Sequence, residues 1–95
     1  MSSMFNGCEG LTSLDVSNFD TSQVTNMSHM FYECRSLTNL DLRSFDTSKV
    51  TNMRWMFDGC SKLTQITVSN KWVIGSSTDV REMFYKCGTN HVTVV

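Results

Sequence analysis

Four segments of the chain repeat one pattern: an aliphatic residue, then Met-Phe, then Cys, at offsets 0, 3, 4 and 7. They are Met1-Met4-Phe5-Cys8, Met27-Met30-Phe31-Cys34, Met53-Met56-Phe57-Cys60 and Val80-Met83-Phe84-Cys87. The cysteines recur at spacings of 26, 26 and 27 residues. A fixed period of this size signals stacked coils, each contacting only its neighbours, and argues against a globule built around a catalytic pocket. Equivalent side chains one period apart should then lie above one another, with Phe5, Phe31, Phe57 and Phe84 as one column.

Within a coil, the offsets 0, 3, 4 and 7 place all four apolar residues on one face of a helix. The spacing predicts a helix about two turns long, capped by Asn26, Asn52 or Asp79 and ending near the cysteine. An alternating segment follows. Leu40 and Leu42 alternate with Asn39, Asp41 and Arg43, the pattern of a strand with one buried face. Leu11, Leu14 and Val16 give the first coil's version, and Leu63, Ile66 and Val68 the third's. One residue is lost after Cys87, so Val92 and Val94 should fall in register with Ile66 and Val68. The expected fold is an α/β solenoid of about 26-residue coils, with short parallel strands on one face and short helices on the other. It should form a single repeat domain over residues 1–95, about three and a half coils.

Phe19 and Phe45 follow the strands. After each comes Asp-Thr-Ser (Asp20 to Ser22, Asp46 to Ser48), whose short polar side chains can bond nearby backbone and hold a turn. Val24 and Val50 then point inward. The third return loop departs from this, with Asn70 to Ser77 adding one residue. Trp72 should fill the Phe19/Phe45 slot after a one-residue shift, and the departure reads as a transition toward a terminal coil.

Composition narrows the function classes. The net charge is −1 and charged residues make up 18% of the 95. That balance supplies no basic footprint for nucleic acid and no basic face for anionic lipid. No apolar run reaches the roughly 18 residues a membrane helix needs. No basic segment precedes an apolar stretch as in a signal peptide, so any export signal would lie outside this sequence. The absence of proline suits continuous backbone ladders. Met1 occupies the same slot as Met27 and Met53, so the chain starts in phase and reads as an excised piece of a longer array.

Four cysteines invite a metal or disulfide reading, but close pairs of the C-x₂-C kind are absent. Each cysteine ends an apolar stripe, where a small buried residue is wanted, and free Cys behaves as a small hydrophobe. Buried free thiols are the expected state, with disulfides between adjacent coils as the alternative. His29 falls on the outer helical face, opposite the inward Cys34, so no Cys-His nucleophile pair is expected. The strand residues facing away from the core are the better binding candidates: Ser13, Asp15 and Ser17; Asn39, Asp41 and Arg43; Gln65, Thr67 and Ser69. Asp15 over Asp41 is an electrostatic cost, read either as a cation preference or as a solvated repeat position. On the opposite, convex side, Trp55 shares its slot with polar Ser3, His29 and Glu82. With Tyr32 and Tyr85 it forms a second candidate patch.

The block Leu11-Thr-Ser-Leu14-Asp-Val16-Ser-Asn-Phe19 follows the L-x-x-L-x-L core of leucine-rich repeats. The longer block from Leu37 to Cys60 carries Phe-Asp-Thr-Ser, Val-Thr-Asn-Met and Met-Phe-x-x-Cys in order. It resembles the BspA-like leucine-rich repeat of bacterial surface proteins, over nearly the whole chain. The resemblance implies a right-handed leucine-rich-repeat solenoid displayed outside the cell, with strand residues lining a concave binding face. It implies a protein ligand, such as a host or matrix protein or another cell-surface protein, and brings no catalytic residues and no cofactor. The function expected is therefore a non-enzymatic, adhesin-like interaction module. The rival is a structural spacer that displays another domain. Open solenoid ends should also favour some self-association.

Overall fold

The computed structural model describes Phe5, Gly7 and residues 9–95. The Met1-Met4-Cys8 part of the first stripe, and Ser3, lie outside the described residues. Three short strands form one parallel sheet in the order β1-β2-β3: β1 is Asn39–Leu42, β2 Gln65–Val68 and β3 Thr93–Val94. Leu40 pairs with Ile66, Leu42 with Val68 and Val68 with Val94. The register from Leu42 through Val68 to Val94 advances by one period at each step, so the residue gained after Ser69 is offset by the one lost after Cys87. The alternation decides which face is buried. Leu40, Leu42, Ile66 and Val68 are buried, while Asn39, Asp41 and Gln65 face solvent. The strand expected over Leu11 to Val16 is not formed. Val16 is buried, but Leu11 is exposed and no named strand precedes Asn39 among the described residues.

The expected α/β leucine-rich-repeat solenoid with helices on one face is overturned. Among the described residues there is no helix. The apolar stripes are instead built from successive turns whose N–H groups divide their bonding between two directions. Met27, His29, Phe31 and Glu33 donate to the carbonyls of Asn52, Arg54, Met56 and Asp58 in the next coil, at 2.7–3.1 Å. Met30, Tyr32 and Cys34 donate locally, to Met27, His29 and Phe31, at 3.1–3.3 Å. The same division recurs one coil on, where Met53, Trp55, Phe57 and Gly59 donate to Asp79, Arg81, Met83 and Tyr85. The second central residue of these turns has positive φ: His29 and Glu33 at 57°, Trp55 at 56°, Gly59 at 81°, Glu82 and Lys86 at 56°. That is what a type II turn requires and an α-helix forbids.

The physical reason is that two local arrangements share the same side-chain spacing. A chain of turns also returns residues 0, 3, 4 and 7 to one face, and Met27, Met30, Phe31 and Cys34 are all fully buried. An isolated helix of this length is marginal because nucleation is costly. The turn chain gains bonds to a neighbouring coil instead. Asn26, Asn52 and Asp79 do not cap helices. Their side-chain oxygens accept the N–H of Ser28, Arg54 and Arg81, two residues on, at 2.9–3.1 Å. Their backbones meet as parallel bridges, Asn26 to Asn52 and Asn52 to Asp79.

The core runs along the stack. Phe5, Phe31, Phe57 and Phe84 form a column with ring centroids 5.6 Å apart at each step, tilted by no more than 11°. The thiols lie beside it. Cys34 Sγ donates to the Phe5 carbonyl at 3.1 Å and Cys60 Sγ to the Phe31 carbonyl at 2.9 Å. Cys34 and Cys60 are buried, and Cys60 and the half-buried Cys87 are free thiols. In the return loops, Phe19 and Phe45 donate their N–H to Val16 and Leu42, and Trp72 donates to Ser69. Trp72 thus takes the Phe slot after the one-residue shift, although its buried indole Nε1 finds no partner. Two buried hydroxyls tie these loops together. Thr21 Oγ1 accepts from the Asp46 N–H and donates to the Asp46 carbonyl; Thr47 Oγ1 does the same with Val73. No helix is long and apolar enough to cross a membrane among the described residues.

Candidate functional site

Two surfaces follow from this stacking. The first is the outer face of the sheet. The register places Asn39 beside Gln65, Asp41 beside Thr67, and Thr67 beside Thr93. Ser13, Asp15 and Ser17 precede this sheet in the chain, Arg43 and Ser69 follow β1 and β2, and all but Thr67 and Ser69 are exposed. The aspartates here are turn-forming groups. Asp15 accepts the N–H and hydroxyl of Ser17 at 3.0 and 2.7 Å. Asp41 accepts the Arg43 N–H at 3.1 Å, and holds its guanidinium in a fork at 2.9 and 2.7 Å. Those hydrogen bonds hold both carboxyls below the ordinary carboxylate value. Asp41 raises Asp15 only as the smallest contribution, so the Asp15/Asp41 stack is largely relieved by their own bonds. Ser17, Asp41, Arg43 and Ser44 line a shallow depression of about 320 Å³ on this face.

The second surface is the turn side. Trp55 is half-buried and held on all sides. Its Nε1 donates to Glu82 Oε2 at 2.7 Å, the His29 ring stacks on it at 4.8 Å, and Arg54 lies 3.9 Å over it. Such cation–π and stacking contacts turn an outward Trp into a strut between coils. The His29 ring that stacks on Trp55 also meets the Tyr32 ring edge-on at 5.2 Å, while Tyr85 is exposed. Tyr32 and Tyr85 border a notch of about 230 Å³, lined also by Glu33, Arg35, Asp58, Gly59, Ser61 and Lys86. The notch exists because the third coil carries smaller side chains at two positions where both neighbouring coils carry large ones. Asp58 stands between Tyr32 and Tyr85 in one column, Gly59 between Glu33 and Lys86 in the next, and Ser61 beside Arg35. Asp58 has no hydrogen-bond or ion-pair partner. Burial raises its carboxyl above the ordinary value, reinforced by Glu82 and opposed by Lys86. Sequence reasoning passed over Asp58, Gly59 and Ser61. The signal was present in the aligned period, as an acid between two tyrosines and a glycine between Glu33 and Lys86.

Among the described residues no group of three His, Cys, Asp or Glu side chains is placed to hold a metal ion. Cys60 is raised well above the ordinary thiol value by its hydrogen bond with Cys34 and then by burial, and Cys87 is raised by burial. These thiols are packing groups and hydrogen-bond donors, far from the thiolate state a nucleophile needs.

No curated protein matches the chain, and no solved structure does. A family model matches residues 1–93, almost the full length, under the description "Mycoplasma protein of unknown function, DUF285". On that match the chain belongs to that family.

Proposed function

We propose that this chain is a protein-interaction module, displayed on the outside of a bacterial cell and acting by binding, without catalysis. The observation that carries the reading is the division of labour along each coil. Apolar positions are spent inward on the Phe column and the sheet core, while the outward positions of β1, β2 and the turns differ from coil to coil at constant backbone geometry. Repeat scaffolds of this kind present extended surfaces suited to macromolecular partners. The resemblance of the Leu37 to Cys60 block to BspA-like surface repeats supports the same reading, as an analogy of sequence pattern. The acidic side chains on the sheet face are held ionised by turn bonds, which suits a fixed polar docking surface better than proton transfer.

The test is a set of surface substitutions (Asn39→Ala, Asp41→Ala, Arg43→Ala, Gln65→Ala, Asp58→Asn) measured by surface plasmon resonance against immobilised fibronectin, fibrinogen and laminin. Saturable binding by the parent chain, weakened tenfold or more by at least one substitution, supports the module. Absence of saturable binding to every matrix protein tested favours the second reading, a spacer that holds another domain away from the cell.

A further inference from the structure

We infer that the notch between Tyr32 and Tyr85 is a binding pocket for an arginine side chain of a protein partner, with Asp58 as its counter-ion. This rests on the interaction-module reading and names the chemistry recognised at one place on the module.

The geometry sets the class of ligand. The notch lies where one coil carries Asp58 and Gly59 between the larger side chains of its two neighbours, with Ser61 beside Arg35. Its volume of about 230 Å³ admits one long side chain and excludes a folded element. Tyrosine rings border it on both sides along the stack, and a guanidinium lies well against aromatic rings. The other charges around the rim are already engaged. Arg35 pairs with Glu33 at 3.3 Å and with Glu9 at 3.6 Å, and Lys86 lies 5.4 Å over the Tyr85 ring. Asp58 alone among the lining acids has no hydrogen bond or ion pair; Lys86 and His29 act on it only at a distance, against Glu82 and Glu33. A carboxylate set into a tyrosine-bordered pocket without such a contact is incomplete, and the planar fork of a guanidinium supplies two N–H donors to it. A lysine ammonium would satisfy the charge but not the fork.

Gly59 keeps the notch open. A Cβ built there would meet Glu33 Cγ at 2.9 Å and Glu33 Cα at 3.2 Å, and the residue sits at φ +81°. A side chain at this position would therefore press Glu33 out of place. The same column carries Gly7, Glu33 and Lys86 at positive φ, so left-handed geometry is common to the slot, and at Gly59 the absent side chain leaves room between those of Glu33 and Lys86.

The probe is Nα-acetyl-arginine amide, titrated into the 95-residue chain and followed by ¹H–¹⁵N NMR, with Nα-acetyl-lysine amide as the comparison. Saturable shifts confined to Tyr32, Asp58, Gly59, Ser61 and Tyr85, at least threefold tighter for arginine than for lysine, are expected. Two variants test the assignment. Asp58→Asn removes the charge at constant shape. Asp58→Tyr fills the notch with the side chain that the neighbouring coils carry in that column, so it should fold. Each should weaken arginine binding tenfold or more while leaving the thermal midpoint within a few degrees. Shifts that do not saturate, that spread over the whole surface, or that survive both variants would overturn the proposal. Failure of the two readings can be told apart. A chain that binds a matrix protein equally well before and after both substitutions keeps the module and loses the arginine pocket. A chain that binds the arginine probe at the notch, but no matrix protein, keeps the pocket and loses the matrix-binding module.

Discussion

Single side chains in this protein act mostly as bridges between coils. Thr47 is fully buried, donates to the Val73 carbonyl at 2.8 Å and accepts the Val73 N–H. Thr47→Val keeps the shape and strands both backbone groups, so it should cost about 1–3 kcal/mol in urea unfolding. The cysteines are bridges of the same kind. Their position at the end of each stripe was legible as a small buried residue. The reason for cysteine in particular was not, because its acceptor is the carbonyl of a Phe 29 residues earlier. Mass-spectrometric mapping of iodoacetamide labelling in the native chain should therefore find Cys87 modified well before Cys34 or Cys60. Cys60 is buried and its thiol is pushed up by Cys34, whereas Cys87 is half-exposed.

At the scale of the element, the turn chain replaces the helix that local periodicity predicts. Apolar residues at offsets 0, 3, 4 and 7 were read correctly as one buried face and incorrectly as helical. What separates the two states is where alternate N–H groups go, and their acceptors lie in the following coil. Gly59 in the middle of a stripe, and stripes too short to nucleate a stable helix, were the local hints. The turn geometry makes a paired prediction. Gly59→Ala forces a Cβ into left-handed backbone and against Glu33, and should destabilise by about 2 kcal/mol or more in urea titration. Lys86→Gly, in an equivalent slot with φ 56° and an exposed side chain, should gain about 0.5–1 kcal/mol by the same measurement. The strands were read more accurately than the turns, because alternation has one common structural solution. Leu11 to Val16 is the exception: it carries the same pattern as β1 but forms no named strand.

For the molecule as a whole, stacking converts weak coils into one cooperative body. The far-UV circular dichroism of the folded chain should show no helical double minimum at about 208 and 222 nm, since no helix is present among the described residues. A strong helical signature would contradict the turn ladder. Repetition also concentrates one electrostatic device. Asp15, Asp20, Asp41, Asp46 and Asp79 each accept the N–H of the residue two positions on. All five are lowered from the ordinary carboxylate value, Asp79 to about 2. A depressed folded value stabilises the native state above the unfolded value near 3.8. That contribution is lost as pH falls through the folded values. Asp58, raised by burial, works in the opposite direction and relaxes when protonated. Five groups against one fix the sign, so the urea midpoint should fall steeply between about pH 4 and pH 2 and stay level above about pH 5.

By itself the sequence determined the period, the column of Phe5, Phe31, Phe57 and Phe84, the buried face of β1 and β2, and the inserted residue that moves Trp72 into the Phe slot. These follow from side-chain type and spacing, which a repeat displays directly. Only the tertiary structure decided that the stripes are turns, that Trp55 is braced by His29 and Glu82, and that Asp58 sits in a notch between two tyrosines. Each of those depends on groups about one period apart in the chain. Their contact is created by stacking one coil upon the next, and no local window contains it.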